Sequence, residues 1–208
     1  FFSKNTNFDM HKSGFVNIFG KPNAGKSTLM NALLGEKLAI VSHKSQTTRQ
    51  RIKGFINQPG EYQIILSDTP GIMDEPKYKL HEKMLEQVKN ALEDTDVAIL
   101  LADANGNVEE MNTLFSSLHL KVPIILVVNK TDKASKEKLD STMAFFSKQP
   151  YGKNSIAVSA LHNLNLDLLL EKIIELLPEG EPFYPQDDLT DMPVKFFAGE
   201  IIREKIFE

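Results

Sequence analysis

The sequence predicts an α/β fold: a six-stranded, mostly parallel sheet with one antiparallel edge strand and helices on both faces. Three observations predict it. From Val97 onward, short strands that are apolar throughout alternate with segments of helical period, as parallel sheets buried on both faces require. An apolar strand near the start runs through a Gly-containing loop straight into a helix. A Pro59-Gly60 pair between two strand-like runs marks the single hairpin.

The elements follow in order. Gly14–Phe19 (GFVNIF) reads as a strand, Gly20–Ser27 as the Gly-containing loop and Thr28–Leu34 as a helix. Glu36–Gln50 has no sustained apolar period and reads as a long polar loop, a class of segment that is often functional in compact domains. Arg51–Asn57 and Tyr62–Ser67 are the strands of the hairpin. Pro70–Lys79 is a second loop. Leu80, Met84, Leu85, Val88, Ala91 and Leu92 then recur at helical spacing. Val97–Ala102, Pro123–Val128 and Ser155–Val158 are the remaining strands. Val108–Leu118, Ser135–Phe146 and Leu164–Leu177 are the helices between and after them. Pro178–Pro193 is rich in proline and acid and reads as a linker. Val194–Glu208 opens a further element, with Phe197, Ile201, Ile202 and Ile206 at helical spacing. Met10 is read as a natural start, with Phe1–Asp9 a tag or an upstream extension, and residues 1–11 are read as an N-terminal extension or tag before the domain.

Composition narrows the function classes. The 208 residues suit one α/β domain with room for part of a second. With no cysteine, the chain has neither a disulfide framework nor a thiolate metal site. No apolar run approaches the roughly 18 residues of a membrane span, and residues 1–12 lack the apolar stretch of a signal peptide. A net charge of −4 argues against nucleic-acid binding by bulk electrostatics. The one basic cluster, Lys44, Arg49, Arg51 and Lys53, is read as a solvated face.

Gly20-Lys21-Pro22-Asn23-Ala24-Gly25-Lys26-Ser27 fits the pattern G-x-x-x-x-G-K-S/T. Glycines let the backbone curl until its N–H groups face inward onto phosphate oxygens. Lys26 adds a cation for the β- and γ-phosphates, and Ser27 adds a hydroxyl for Mg²⁺. The helix that follows, with Thr28 in its first turn, aims its positive end at the same anion. A chance match in a chain this long is expected about once in a hundred, and the strand-loop-helix context makes it rarer.

Asn129-Lys130-Thr131-Asp132 names the base. It lies at the carboxyl end of a strand, where ligands bind in such sheets. The Asp132 carboxylate accepts two hydrogen bonds from guanine N1–H and the 2-amino group, and adenine offers neither donor there. One strand later, Ser159-Ala160-Leu161 places backbone N–H groups for guanine O6. Asp68-Thr69-Pro70-Gly71 follows another strand. Asp68 is placed to hold Mg²⁺ through water, and Gly71 to offer its N–H to the γ-phosphate. In the long polar loop, Thr48 (with Thr47 as the alternative) is the candidate that closes over Mg²⁺ and the γ-phosphate. The residue after Gly71 is Ile72, where many GTPases carry a Gln that orients the attacking water. An Ile makes no hydrogen bond to water, so unassisted hydrolysis is expected to be slow. Asn23 is a candidate seat for a K⁺ ion acting where an arginine finger otherwise would.

With these motifs in order, the chain resembles the translation-factor-like GTPases of the TRAFAC class, and within them the Era-type ribosome-assembly GTPases. Gln46-Thr47-Thr48-Arg49 and Glu200-Ile201-Ile202-Arg203-Glu204-Lys205 carry the closer likeness. Ala24 stands where the family usually has Val, a smaller side chain on the same backbone path. The resemblance implies a P-loop NTPase fold of the Ras-like G-domain type over residues 12–178. It implies a linker over 179–193, then the start of a KH-type domain at 194–208. No G-x-x-G clamp loop is present, so a shortened chain is expected. It further implies a cytoplasmic, monomeric, Mg²⁺-dependent GTP/GDP switch in small-subunit assembly. Contact with 16S rRNA would run through the KH domain. Peripheral contact with the inner membrane is attributed to the family, although no residue here argues for it. Three alternatives stand beside this reading: a nucleotide-dependent binding module with negligible hydrolysis, a Der- or MnmE-like GTPase, and an ATP-using P-loop kinase. Asn129–Asp132 disfavours the last.

Overall fold

A computed structural model of the chain describes residues 11–39, 51–72, 88 and 90–207. Six strands form one sheet: β1 (Lys12–Phe19), β2 (Ile52–Gln58), β3 (Tyr62–Asp68), β4 (Val97–Asp103), β5 (Ile124–Asn129) and β6 (Ser155–Ala157). Their spatial order is β2-β3-β1-β4-β5-β6. Among the described strands, only β2 and β3 pair antiparallel; the other strand pairings are parallel. Among the described residues, the α-helices with both ends described are α1 (Lys26–Leu34), α2 (Val108–Ser117), α3 (Lys136–Phe146), α4 (Leu166–Leu176) and α5 (Val194–Phe207). Of the helix expected from Leu80 to Leu92, residues 88 and 90–93 are described, and they are helical.

Both faces of the sheet are covered, which is why the strands read as unbroken apolar runs. Alternate residues of β4 serve opposite cores. Val97, Ile99 and Leu101 join Leu29 and Met30 of α1 and Leu169 and Ile173 of α4. Ala98, Leu100 and Ala102 join Phe115 of α2, Phe146 of α3 and Ala91. Strand order reverses at β1, which lies between β3 and β4. The loop after β1 therefore opens into the crevice where ligands bind in this architecture.

The expected boundaries shift at places with a local cause. α1 begins at Lys26 rather than Thr28, because Gly25 in the left-handed region already serves as its N-cap. Ser135 is not the first residue of α3 but its cap, accepting from the Lys138 N–H. α4 begins at Leu166 rather than Leu164, since Leu164 pairs with Ser159 in an antiparallel bridge and Asn165 takes φ +59°.

Two readings of the surface change. The segment read as a linker is packed along the β2–β3 edge. The Phe55 N–H donates to the Leu189 carbonyl, and Thr190 Oγ1 donates to the Lys53 carbonyl. Buried Gln63 accepts from the Phe183 and Tyr184 amides at 2.7 and 3.0 Å and donates to the Tyr184 carbonyl. The Phe55 and Tyr184 rings stack at 4.3 Å. The sheet edge is thus covered rather than left open. Nor do the described cations of the basic cluster form a solvated face. Arg51 turns inward to Asp94 at 2.6 Å, to Asn17 at 2.9 Å and to Ser67 at 3.1 Å. Lys53 lies 5.5 Å from the centre of the Phe15 ring and 3.6 Å from Asp191. Among the described residues, no helix is long and apolar enough to cross a membrane.

Candidate guanine-nucleotide site

The phosphate loop connects β1 to α1 across the carboxyl end of the sheet. Asn23 (φ +60°) and Gly25 (φ +99°) both take left-handed backbone, which curls the chain into an anion-binding concavity. At Gly25 the requirement for glycine is also steric. A Cβ there would lie 2.4 Å from Asn129 Nδ2. Gly25 caps α1 without a side-chain acceptor, so the positive end of the helix faces the loop interior.

Lys26 is folded onto its own loop. Its ammonium donates to the Lys21 carbonyl at 2.9 Å and to the Gly20 carbonyl at 3.2 Å. Burial pushes its pKa down to about 8, while the nearby Asp68 carboxylate raises it. A phosphate in the loop would restore the stronger counter-charge for which this ammonium is placed. Ser27 Oγ donates to Asp68 Oδ2 at 2.6 Å, which brings two of the three predicted Mg²⁺ residues together from α1 and β3. The pair suits Mg²⁺. Both groups offer hard oxygen ligands. The described residues hold no cluster of three or more His, Asp or Glu.

The segment after β3 lies against the phosphate loop. Thr69 Oγ1 donates to the Ile18 carbonyl at 2.6 Å, and the Ile72 N–H donates to the Gly20 carbonyl at 3.1 Å. Gly71 approaches Pro22 so closely that a Cβ would meet its Cα at 2.8 Å. Ile72 is buried in the core beneath β1 and β4. Its side chain is a packing group and carries no polar atom. Thr47 and Thr48, with Gln46 and Arg49, lie outside the described residues.

At the other end of the crevice, Asn129 is the keystone. Its Nδ2 donates to the Ala24 carbonyl of the phosphate loop at 3.0 Å, and its Oδ1 accepts from the Ala160 N–H at 3.0 Å. One buried side chain therefore ties β5, the phosphate loop and the loop after β6 together. The Ala160 amide, expected to face guanine O6, is committed to Asn129 here. Asp132 accepts from Ser159 Oγ at 2.6 Å and lies 3.8 Å from His162. The Ser159 bond is the main reason its carboxyl titrates below the ordinary range, with the His162 and Lys133 charges adding to it. Asp132 is thus held as a hydrogen-bond acceptor. Leu161 is exposed at the rim.

One contributor, Asp103, goes unnoticed in the sequence. Lys130, at φ +64°, extends its ammonium to the Asn23 carbonyl at 2.6 Å and to Asp103 Oδ2 at 2.7 Å. Asp103 ends the apolar strand VAILLAD. An acid closing an otherwise apolar strand at the ligand-binding edge was the available signal.

The comparisons agree with this geometry. Residues 15–130 match the family model described as 50S ribosome-binding GTPase. GTPase Era of Thermoanaerobacter sp. (strain X514) is 45% identical over 199 residues, covering 94% of this chain and 65% of that protein. The chain therefore spans about two thirds of the length of such relatives. A crystal structure of Era in complex with MgGDPNP and nucleotides 1506–1542 of 16S ribosomal RNA superposes with a TM-score of 0.88. It is 41% identical and covers 94% of this chain and 67% of that one. A variant of Aquifex aeolicus Era bound to GDP and AlF4⁻ gives 0.89 at 42% identity, covering 93% and 66%. Matched over 94% of its length by Era proteins at 41–45% identity, with its phosphate loop and its Asn129–Asp132 element meeting in one crevice, the chain belongs to the Era family of GTPases.

Proposed function

We propose that this chain binds GTP and GDP with Mg²⁺, hydrolyses GTP slowly, and acts as a nucleotide-controlled switch in assembly of the small ribosomal subunit. The observation that carries the reading is the pair of hydrogen bonds made by Asn129, one donated to the Ala24 carbonyl of the phosphate loop and one accepted from the Ala160 N–H of the loop after β6. It makes the phosphate site and the guanine site one rigid unit. Lys26 neutralises phosphate charge, Ser27 and Asp68 hold the metal, and Asp132 selects guanine. Bound Mg²⁺ would supply charge neutralisation at the β- and γ-phosphate oxygens. Thr48 and Gly71 are proposed to report the presence of the γ-phosphate.

The expected behaviour is Mg²⁺-dependent phosphate release from GTP but not ATP, lost in Lys26→Ala. Release that survives in that variant, or equal use of ATP, would overturn the site. The role in assembly rests on the Era relatives, one of which is solved with 16S ribosomal RNA. It extends to this chain as a cytoplasmic monomer whose rRNA contact runs mainly through a KH-type domain. Peripheral inner-membrane contact has no residue of this chain in its support.

A second reading has its own observation. Ile72 is buried in the core and offers nothing to an attacking water. On that reading the protein is a binding module whose hydrolysis depends on a partner. Single-turnover phosphate release with and without small ribosomal subunits separates the two. Measurable release from the protein alone favours the enzyme; release only with subunits favours the module.

A further inference from the structure

We propose that Asp103 is a positioning residue for nucleotide retention: it holds the Lys130 ammonium on the Asn23 carbonyl and so locks the base-reading loop to the phosphate loop. This rests on the guanine-nucleotide reading above and names a residue that no motif in the sequence contains.

The geometry is a relay across the crevice. Lys130 belongs to the base-reading loop, yet its ammonium lies 2.6 Å from the Asn23 carbonyl in the phosphate loop. Its four-carbon stem therefore runs from the base end of the site to the phosphate end. A nucleotide reaching from Asp132 to Lys26 must lie along that stem. A lysine stem is flexible, and an ammonium held by one carbonyl is not fixed in direction. Asp103 supplies the second anchor, at 2.7 Å from the same nitrogen. Both side chains of the pair are 28% exposed, so the pair is neither fully screened nor fully desolvated.

The carboxylate is itself held. Its Oδ1 accepts from the Asn105 N–H at 3.0 Å. Asn105 Nδ2 donates to the Lys133 carbonyl at 3.0 Å, and the Ala104 N–H donates to the Asn129 carbonyl at 2.9 Å. Residues 103–105 thus grip the 129–133 loop at three points, and only Asp103 carries charge to it. Lys130 and Asn23 both have φ near +60° without being glycine. Such backbone persists only where neighbouring contacts over-determine it. The Lys130–Asn23 bond joins those two residues, and Asp103 orients it.

The test is release of a fluorescent N-methylanthraniloyl-GDP, chased with excess GDP, from the full chain in Mg²⁺ buffer. D103N keeps an acceptor for the Asn105 amide but loses the charge. It is expected to release nucleotide about tenfold faster than the wild type, the scale of a lost hydrogen bond to a charged group. K130M should also release faster. Because Asp103 acts through Lys130, D103N/K130M should match K130M alone to within about twofold. A merely structural role would instead make the two effects multiply. D103N release within about twofold of wild type would overturn the proposal, and so would multiplicative effects. Should D103N not fold, D103E takes its place: a carboxylate displaced by one methylene should give intermediate release, and wild-type release from it would overturn the idea. A wild-type chain that fails to retain GDP at all would defeat the guanine-nucleotide reading itself, a result distinct from either outcome for Asp103.

Discussion

At the scale of single residues, Lys26 and Asn129 are the most consequential side chains. Lys26 is buried with its pKa down at about 8, against about 10.5 in an unfolded chain. Between those values the unfolded state binds more protons, so stability of the nucleotide-free protein rises with pH from about 8 to 10.5. The burial penalty is of order 3 kcal/mol below pH 8 and fades as the lysine deprotonates. Lys26→Met should therefore be more stable than wild type at pH 7, and the gap should close towards pH 10.5. Urea denaturation across that range checks it. Asn129→Ala leaves the Ala24 carbonyl and the Ala160 N–H without their buried partner. The expected cost is about 2–3 kcal/mol, together with weakened GDP binding, read by denaturation and by titration. Asn23 carries the K⁺ idea: phosphate release should be faster in K⁺ than in Na⁺ buffer, and equal rates would end it. Most of these residues were legible in the sequence, because the chemistry of phosphate and guanine restricts which side chains can serve. Asp103 was not, since its role depends on a lysine 27 positions away.

At the scale of elements, strand order and the covering of the β2 edge matter most. Alternating apolar strands and helices made the parallel sheet legible, and the Pro59-Gly60 turn made the antiparallel strand so. The packing of residues 179–192 was not legible, because proline and acidic residues in a row read as a solvated connection. What holds the segment is buried Gln63, which accepts from two of its amides and donates to one of its carbonyls. Gln63→Ala should cost about 2 kcal/mol or more and loosen the segment. Hydrogen exchange at the Phe183 and Tyr184 amides would report it; unchanged protection there would show that the stacked rings suffice. Helix ends were misread by one or two residues for the same kind of reason. Caps at Gly25 and Ser135 and the Ser159–Leu164 bridge are interactions between residues rather than periodicities.

At the scale of the molecule, the phosphate and guanine halves of the site lie at the ends of different strands and are joined by Asn129 and Lys130. Nucleotide binding should then stabilise the whole domain as one unit. At a ligand concentration about 1,000 times Kd, Mg²⁺–GDP should add about 4 kcal/mol, seen as a single upward-shifted melting transition. ATP at equal concentration should leave the transition where it is. Two transitions in the presence of GDP would mean that the halves are not mechanically joined.

The sequence by itself determined the fold class and showed the phosphate loop, the Asn-Lys-Thr-Asp element at the end of a strand and the apolar residue after Gly71. Each of these follows from local residue types meeting a fixed chemical demand. Only the tertiary structure decided how those parts are held. It showed that Lys26 rests on its own loop's carbonyls, that the Ala160 amide serves Asn129, and that Arg51 turns inward to Asp94. It also showed Asp103 bracing Lys130 against the phosphate loop. These are contacts between residues far apart in the chain, and they exist only once the sheet has brought its carboxyl ends together. No local pattern encodes which distant atom will satisfy a buried donor, because that is settled by where the packing places it.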